Sequence, residues 1–82
     1  MFDTRLQTLI KVAQTGSYTK AAMELSLSQP AVSQHIKQLE SELQIRLFNR
    51  GNGGLKLTNE GEIALKYAKR IENLYQSMAQ SI

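Results

Sequence analysis

The stretch Ser28-Gln29-Pro30-Ala31-Val32-Ser33-Gln34-His35-Ile36-Lys37-Gln38-Leu39-Glu40 decides the fold of this chain. We predict that a helix begins after Ser28, because its hydroxyl can accept a free backbone N–H of the first turn. Pro30 fits this first turn, where a missing N–H costs nothing. The apolar residues of the helix recur at helical spacing and form one stripe for burial: Val32, Ile36, Leu39 and Leu43.

The opposite face of this helix is polar and has no carboxylate. It carries Pro30, Gln34, Lys37 and Ser41, with Ser33 and Gln38 beside it and Gln29 in the first turn. Amides and hydroxyls hydrogen-bond base edges and a cation pairs with phosphate, whereas a merely solvated face more often mixes Glu with Lys. Taken alone, the pattern favours an ordinary polar surface; the neighbouring segments change that interpretation.

The composition indicates one small domain with a moderate basic charge. Its 82 residues suffice for a single core with little surplus stability. Ten Lys and Arg against seven Asp and Glu give a net charge of +3, a moderate bias toward polyanions. The distribution is more informative, because Arg46, Arg50 and Lys56 lie in the run 44–59, which contains no acid.

Several classes of protein are disfavoured by what the sequence lacks. Without Cys we expect neither disulfides nor thiolate metal sites, and the lone His35 cannot make a zinc site, so we expect no metal and no cofactor. His35 lies beside the buried stripe and is a candidate neighbour of phosphate. No signal peptide and no apolar stretch of about twenty residues is present, so we expect a soluble, cytoplasmic protein.

Two helices are predicted before Ser28. The first is capped by Asp3 or Thr4 and ends at Gly16, and its apolar residues support the core: Leu6, Leu9, Ile10 and Ala13. Ser17 caps the second, short helix. Small side chains on that helix permit close approach of another helix, and its apolar residues are Ala21, Ala22 and Leu25.

The second and third helices together predict a helix-turn-helix. Only Ser26 and Leu27 separate Leu25 from Ser28, a connection short enough to force a steep crossing. In that motif the second helix enters the major groove of DNA. Thr19 and Lys20 lie in the first turn of the second helix, where free N–H groups favour an anion such as phosphate, although an ordinary capped helix start explains them equally well.

A small hairpin, or wing, is predicted after the third helix. Two short runs of alternating apolar residues are present, Ile45 with Leu47 and Leu55 with Leu57. Between them lies Gly51-Asn52-Gly53-Gly54, with three glycines in four residues. We expect Phe48 to anchor the wing in the core and Arg50 to reach the minor groove or its phosphates. A glycine-rich loop can also cradle a nucleotide phosphate, but the Gly-Lys-Ser/Thr ending of a P-loop is missing.

A long terminal helix is predicted after Thr58. Glu60 and Glu62 occupy its first turn beside the positive dipole end, and about 24 residues would extend about 36 Å. Its apolar residues follow one stripe: Ala64, Tyr67, Ala68, Ile71, Leu74, Tyr75, Met78 and Ile82. Because the stripe outruns the small core, we predict that it pairs with the same helix of a second copy. Folding back on its own domain, or pairing with a further C-terminal portion, are the alternatives.

The chain resembles the N-terminal DNA-binding domain of LysR-type transcriptional regulators. The match runs from about Leu6 to Gly61, and the following segment corresponds to the linker helix of that family. A dozen or more positions at fixed spacing carry the resemblance: Gly16-Ser17-Tyr18-Thr19-Lys20-Ala21-Ala22, Leu25, Ser28-Gln29-Pro30-Ala31-Val32-Ser33, Ile36, Leu39-Glu40, Leu43, Leu47-Phe48, Arg50, Leu57-Thr58 and Gly61.

The resemblance implies a mainly α fold, a winged helix-turn-helix of three helices and a two-stranded wing at residues 1–58, followed by a linker and dimerisation helix at residues 59–82. It further implies a bacterial source, a homodimer through the linker helices and an effector-binding C-terminal domain that this chain lacks. Two residues depart from the family pattern: Gln44 stands where Gly is usual, and Gly53 stands where the wing usually carries a second basic residue, for which Lys56 could partly compensate.

We therefore expect sequence-specific binding of double-stranded DNA by a transcriptional regulator, with the recognition helix at about 28–42 in the major groove and the wing at 50–56 at the minor groove or backbone. The expected base contacts are Gln29, Pro30, Ser33, Gln34 and Lys37. The expected backbone or minor-groove contacts are Ser17, Thr19, Lys20, Arg50 and Lys56, and the resemblance adds Ser28, which the residues alone indicate as a helix cap. A protein-interaction module is the alternative, and an enzyme is disfavoured because Ser33 and His35 have no third orienting group.

Overall fold

Residues 3–82 fold into four helices and one two-stranded antiparallel sheet. The computed structural model describes residues 3–82. In chain order its elements are α1 (Thr4–Thr15), α2 (Tyr18–Leu25), α3 (Gln29–Leu43), β1 (Phe48–Gly51), β2 (Gly54–Leu57) and α4 (Asn59–Ser81). The mainly α architecture that the sequence predicts, with a two-stranded wing and a long terminal helix, is confirmed.

Each of the four helices begins after a side chain that caps it. The capping oxygens accept backbone N–H groups two or three residues further on: Asp3 from Arg5 at 2.8 Å, Ser17 from Lys20 at 3.1 Å, Ser28 from Ala31 at 3.2 Å, and Thr58 from Gly61 at 2.9 Å. These are the predicted caps, with Asp3 rather than Thr4 in front of α1. Helix α1 ends at Gly16, which adopts the predicted left-handed cap with φ 67°.

Helix α1 lies at the centre of the core. It packs against α2, α3, α4 and β2. The small side chains Ala21 and Ala22 are buried, which lets α2 approach its neighbours closely. The largest fully buried side chains come from α1, α3 and the segment before the wing: Thr8, Leu9, Val12, Val32, Ile36 and Leu47.

The connection between α2 and α3 is a tight left-handed turn. Ser26 adopts φ 57° and ψ 40°, and the N–H of Leu27 donates to the carbonyl oxygen of Ala22 at 2.9 Å. Leu27 packs partly buried against the core. The turn therefore holds α2 and α3 as the predicted helix-turn-helix.

The wing is a hairpin whose two strands are joined by two residues. Its register pairs Phe48 with Leu57 and Gly51 with Gly54, which leaves Asn52-Gly53 as the connection. Gly53 and Gly54 have φ of 95° and 113°, the positive values predicted for this turn. Phe48 is buried and packs edge to face against the ring of Tyr18, with 6.4 Å between the ring centroids. The predicted anchor of the wing is therefore confirmed.

The burial of Leu43 and the start of the first strand differ from the sequence prediction. Leu43 belongs to the predicted buried stripe of α3, yet it is 52% exposed because it faces an open groove beside α4. Ile45 and Leu47 are not in a strand, because the N–H of Leu47 donates to the carboxylate of Glu40 instead of pairing in a ladder. The first strand begins one residue later, at Phe48.

Helix α4 packs against the core as far as Tyr75, and its last turns leave it. Ala68 is fully buried, whereas Leu74 and Met78 are 70% and 53% exposed. This exposed apolar surface agrees with the prediction that the stripe outruns the core. Within residues 3–82, no helix combines the length and the apolar character that crossing a membrane requires.

Candidate nucleic-acid interface

Helix α3 presents a polar surface that the rest of the described chain leaves open. We call it the reading face and define it by Gln29, Pro30, Ser33, Gln34 and Lys37. Four of these side chains are exposed and Ser33 is half-buried. The opposite side of α3 is buried, and α4 packs against α1 rather than over the reading face. The predicted orientation of α3 is therefore confirmed.

The first turn of α2 lies at one end of the reading face. Thr19 and Lys20 are exposed there, as a phosphate contact requires. The Oγ of Ser17 already accepts the N–H of Lys20, so this hydroxyl serves as the helix cap. Ser28 has the same local role, because its Oγ accepts the N–H of Ala31.

One cleft of about 310 Å³ brings together residues from three separate parts of the predicted site. Ser17 and Thr19 line it from the start of α2, Gln29 lines it from the start of α3, and Arg50 lines it from the wing. These residues are up to 33 positions apart in sequence, and the tertiary fold makes them neighbours. Lys56 lies on β2 opposite Asn49, outside the lining of this cleft.

The cations of the candidate interface are not neutralised within the described part of the chain. Arg5 pairs with Asp3 and Glu42, and Lys11 pairs with Glu24 at 3.3 Å. The cations of the candidate interface are Lys20, Lys37, Arg50 and Lys56. Among residues 3–82, none of these four makes an ion pair. The internal ion pairs thus leave the cations around α3 and the wing free to attract a polyanion.

A second cleft, of about 620 Å³, contains residues that the sequence analysis did not assign to the site. Tyr18, Arg46 and Asn49 line it together with Glu40 and Arg50. Burial raises the pKa of the Tyr18 hydroxyl, the charge of Glu40 raises it further, and the nearby Arg50 and Arg46 oppose this change. No local spacing in the sequence indicates this cleft, because Tyr18, Glu40 and Arg50 come from three separate segments of the chain.

His35 links α3 to α1. Its Nδ1 lies 2.8 Å from the Oγ1 of the fully buried Thr8, which also donates to the carbonyl oxygen of Thr4 at 3.1 Å. The ring therefore has a structural role through Nδ1. A contact between its other nitrogen and phosphate stays a prediction.

A second surface, formed by the inner sides of α1, α3 and α4, is apolar. We call it the apolar groove, and it has a volume of about 450 Å³. Its lining residues are Leu6, Leu9, Leu39, Leu43, Ile45, Glu60, Ile63, Ala64, Tyr67, Ala68 and Ile71. Ile63, which the sequence analysis did not assign to the stripe, is 58% exposed. The groove thus continues the apolar stripe of α4 onto the domain.

The residues predicted to form a dimer fall into two groups. Ala68 is buried in the core of its own chain, and Ala64 and Tyr75 are partly buried against that core. The remaining residues of the predicted stripe are about half exposed or more: Tyr67 at 53%, Ile71 at 46%, Leu74 at 70%, Met78 at 53% and Ile82 at 98%. These five supply the apolar surface that is open to a partner.

Comparison with known proteins supplies a family and structural relatives. The family model of "Bacterial regulatory helix-turn-helix protein, lysR family" matches residues 4–62. The uncharacterised HTH-type transcriptional regulator YxjO of Bacillus subtilis is 46% identical over 77 residues, which cover 94% of this chain and 26% of that protein. The chain thus spans about a quarter of the length of this relative, and it spans 27% and 25% of two further curated relatives.

Two solved structures with similar folds contain DNA. The CbnR_DBD–DNA complex superposes with a TM-score of 0.88 at 32% identity and covers 94% of this chain and 88% of that chain. The complex of BenM_DBD with catB site 1 DNA has a TM-score of 0.87 at 36% identity and covers 93% of this chain and 82% of that chain. Both likenesses extend over the helix-turn-helix, the wing and most of α4.

Proposed function

The chain belongs to the LysR family of bacterial regulatory helix-turn-helix proteins, and from this premise we propose that it binds double-stranded DNA sequence-specifically as part of a transcriptional regulator. Residues 1–58 form the winged helix-turn-helix domain and residues 59–82 the linker helix. The domain performs no chemistry of its own and acts in the cytoplasm, where a bacterial chromosome lies.

The cleft between α2, α3 and the wing is the observation that carries this proposal. It joins Thr19, Gln29 and Arg50 at one end of an open reading face, so that one surface offers groups for both phosphate and bases. The reading face enters the major groove and makes the base contacts, through Gln29, Pro30, Ser33, Gln34 and Lys37. The flanking groups hold the backbone or minor groove, through Ser17, Thr19, Lys20, Ser28, Arg50 and Lys56.

The terminal helix joins two such domains. The exposed apolar residues of α4 continue into the apolar groove, so that a second copy of this helix would cover both surfaces. A two-fold pair of domains binds two half-sites, which places the protein on an interrupted palindrome. In the whole regulator, an effector-binding domain follows α4.

Selection from a random DNA library with the 82-residue chain tests this function. We expect enrichment of two inverted half-sites, since base contact and dimerisation both act in the selection.

Replacement of Arg50 by Ala should make DNA affinity less dependent on salt. The magnitude of the slope of log K for DNA binding against log salt concentration should fall by about one unit, because one phosphate contact is lost. The control Lys66→Ala removes an exposed cation of α4 outside the interface and should leave the slope unchanged.

A protein-interaction module is the second candidate, because the apolar groove could receive a helix of another protein. Electrophoretic retardation separates the two functions. Salt-sensitive retardation of genomic fragments supports DNA binding, whereas a chain that retards no fragment at low salt would contradict it.

A further inference from the structure

The backbone of Leu47 lies where α3, the wing and α4 meet. Its N–H donates to the Oε2 of Glu40 at 2.8 Å, and its carbonyl oxygen accepts the N–H of Thr58 at 3.0 Å. Leu47 is fully buried, so water cannot readily replace these partners. The position of this residue therefore depends on one side chain of α3 and on the cap of α4.

Glu40 bridges an irregular segment between α3 and β1. Gln44 ends the helix, and the N–H groups of Gln44 and Ile45 both point back to the backbone carbonyl of Glu40. Residues 45–47 then run without regular structure up to Phe48, where β1 begins. The carboxylate of Glu40 holds the far end of this segment, one residue before the strand that carries Arg50.

Glu40 and Arg50 line the same cleft beside Tyr18. The negative charge of Glu40 should therefore oppose the binding of phosphate by Arg50. A carboxylate close to a phosphate-binding cation weakens the attraction of the site for phosphate. The charge of Glu40 and its acceptor oxygen therefore have opposite effects on DNA affinity, and two variants can separate them.

We propose that Glu40 is a positioning residue for DNA binding, which fixes the wing and its Arg50 relative to the reading face through the Leu47 N–H. The proposal rests on the function proposed above. Glu40 makes no contact with DNA in this proposal. Its acceptor oxygen sets the position of β1, and its negative charge lowers the affinity for DNA.

Two substitutions of Glu40 test the proposal by the sign of their effects. Glu40→Gln keeps an acceptor oxygen and removes the charge, so it should bind the selected DNA as tightly as the wild type or up to about threefold more tightly. Glu40→Ala removes both and should bind about tenfold more weakly, as expected when a charge-assisted phosphate contact is lost. Glu62→Gln is the control, because it removes the same charge from an exposed residue of α4 that makes no ion pair within residues 3–82.

A double substitution shows whether the loss acts through the wing. In the wild type, Arg50→Ala should weaken binding about tenfold, whereas in the Glu40→Ala background it should weaken binding less than about threefold, because Arg50 is already displaced. Tighter binding by both Glu40 variants would overturn the proposal, since the charge alone would then matter. Equal weakening by both would also overturn it, since the charge and not the acceptor would then hold the wing.

Amide hydrogen exchange of the free chain gives a measurement that needs no DNA. Glu40→Ala should accelerate exchange in the β1–β2 ladder about tenfold relative to α1, and Glu40→Gln should not. Unchanged exchange in Glu40→Ala would overturn the positioning role even if DNA binding is observed. A wild-type chain without DNA affinity would contradict the proposed function, while the exchange result would still decide whether Glu40 holds the wing.

Discussion

At the scale of single residues, the end of α3 shows how this chain departs from its family. Gln44 adopts the left-handed conformation with φ 57° and ψ 46°, and its N–H donates to the carbonyl oxygen of Glu40. A residue with a Cβ is strained in this region, which is why glycine is preferred at such helix ends. The helix therefore ends with the usual left-handed geometry, although Gln44 stands where the resemblance to the LysR family implies a glycine.

Replacing Gln44 by Gly should stabilise the chain by about 0.5–1 kcal/mol, because relief of the left-handed strain exceeds the added entropy of the unfolded glycine. The free energy of unfolding from urea titration measures the effect. The same substitution at Gln38, an exposed position inside α3, should instead destabilise the chain by about 1 kcal/mol. A loss of stability in Gln44→Gly would show that the left-handed backbone is not strained.

Gln29 lies where the proposed phosphate contacts and the proposed base contacts meet. Gln29→Ala should weaken binding to the selected operator by about 1–3 kcal/mol and binding to random DNA only slightly. The reason is that a hydrogen bond between the Gln29 amide and a base edge depends on the DNA sequence. Competition titrations with both DNAs measure the two affinities. Gln14→Ala, an exposed amide on α1, is the control. An equal loss of affinity for both DNAs would show that Gln29 only positions the domain on DNA.

At the scale of elements, the wing and α4 are joined by close backbone packing. Gly61 is buried in the first turn of α4, and a Cβ at this position would overlap the carbonyl oxygen of Leu47. Backbone atoms cannot move aside as a flexible side chain can. Glycine at position 61 is therefore required by the approach of α4 to the base of the wing.

Gly61→Ala should destabilise the chain by about 1–3 kcal/mol, since the first turn of α4 must move away from Leu47. Gly51→Ala is the matched control, because a Cβ there meets nothing within 4 Å and the residue has no positive φ. Thermal denaturation should give a lower Tm for the first variant and an almost unchanged Tm for the second. Equal Tm values would mean that α4 can shift without cost.

At the scale of the whole molecule, α4 extends the chain to 44 × 27 × 22 Å and carries apolar surface away from the core. The exposed residues Tyr67, Ile71, Leu74 and Met78 lie along one side of this helix and continue into the apolar groove. A contiguous apolar surface of this kind marks an interface in a protein with a core this small. Dimerisation through α4 stays a prediction.

Leu74→Asp should convert the proposed dimer to a monomer. Because Leu74 is 70% exposed within one chain, the substitution removes little from the core but places a charge in the interface. Sedimentation velocity measures the change, and Gln76→Asp, an exposed position on the same helix, should remain dimeric. A wild-type monomer, or a dimer unaffected by Leu74→Asp, would place the interface elsewhere.

The sequence by itself determined the elements whose causes are local. The four capping side chains, the glycine end of α1, the two-residue helix-turn-helix connection and the glycine turn of the wing each depend on a few adjacent residues. For the same reason the outward orientation of the reading face could be predicted from helical spacing alone.

Only the tertiary structure decided which apolar residues are covered and which distant residues meet. The stripe of α3 predicted burial for Leu43, but burial depends on whether another element lies over it, and none in residues 3–82 does. The bonds of His35 to Thr8 and of Glu40 to Leu47, and the cleft that joins Gln29 to Arg50, link positions far apart in sequence. Such contacts depend on how whole helices pack, which no local spacing of residues specifies.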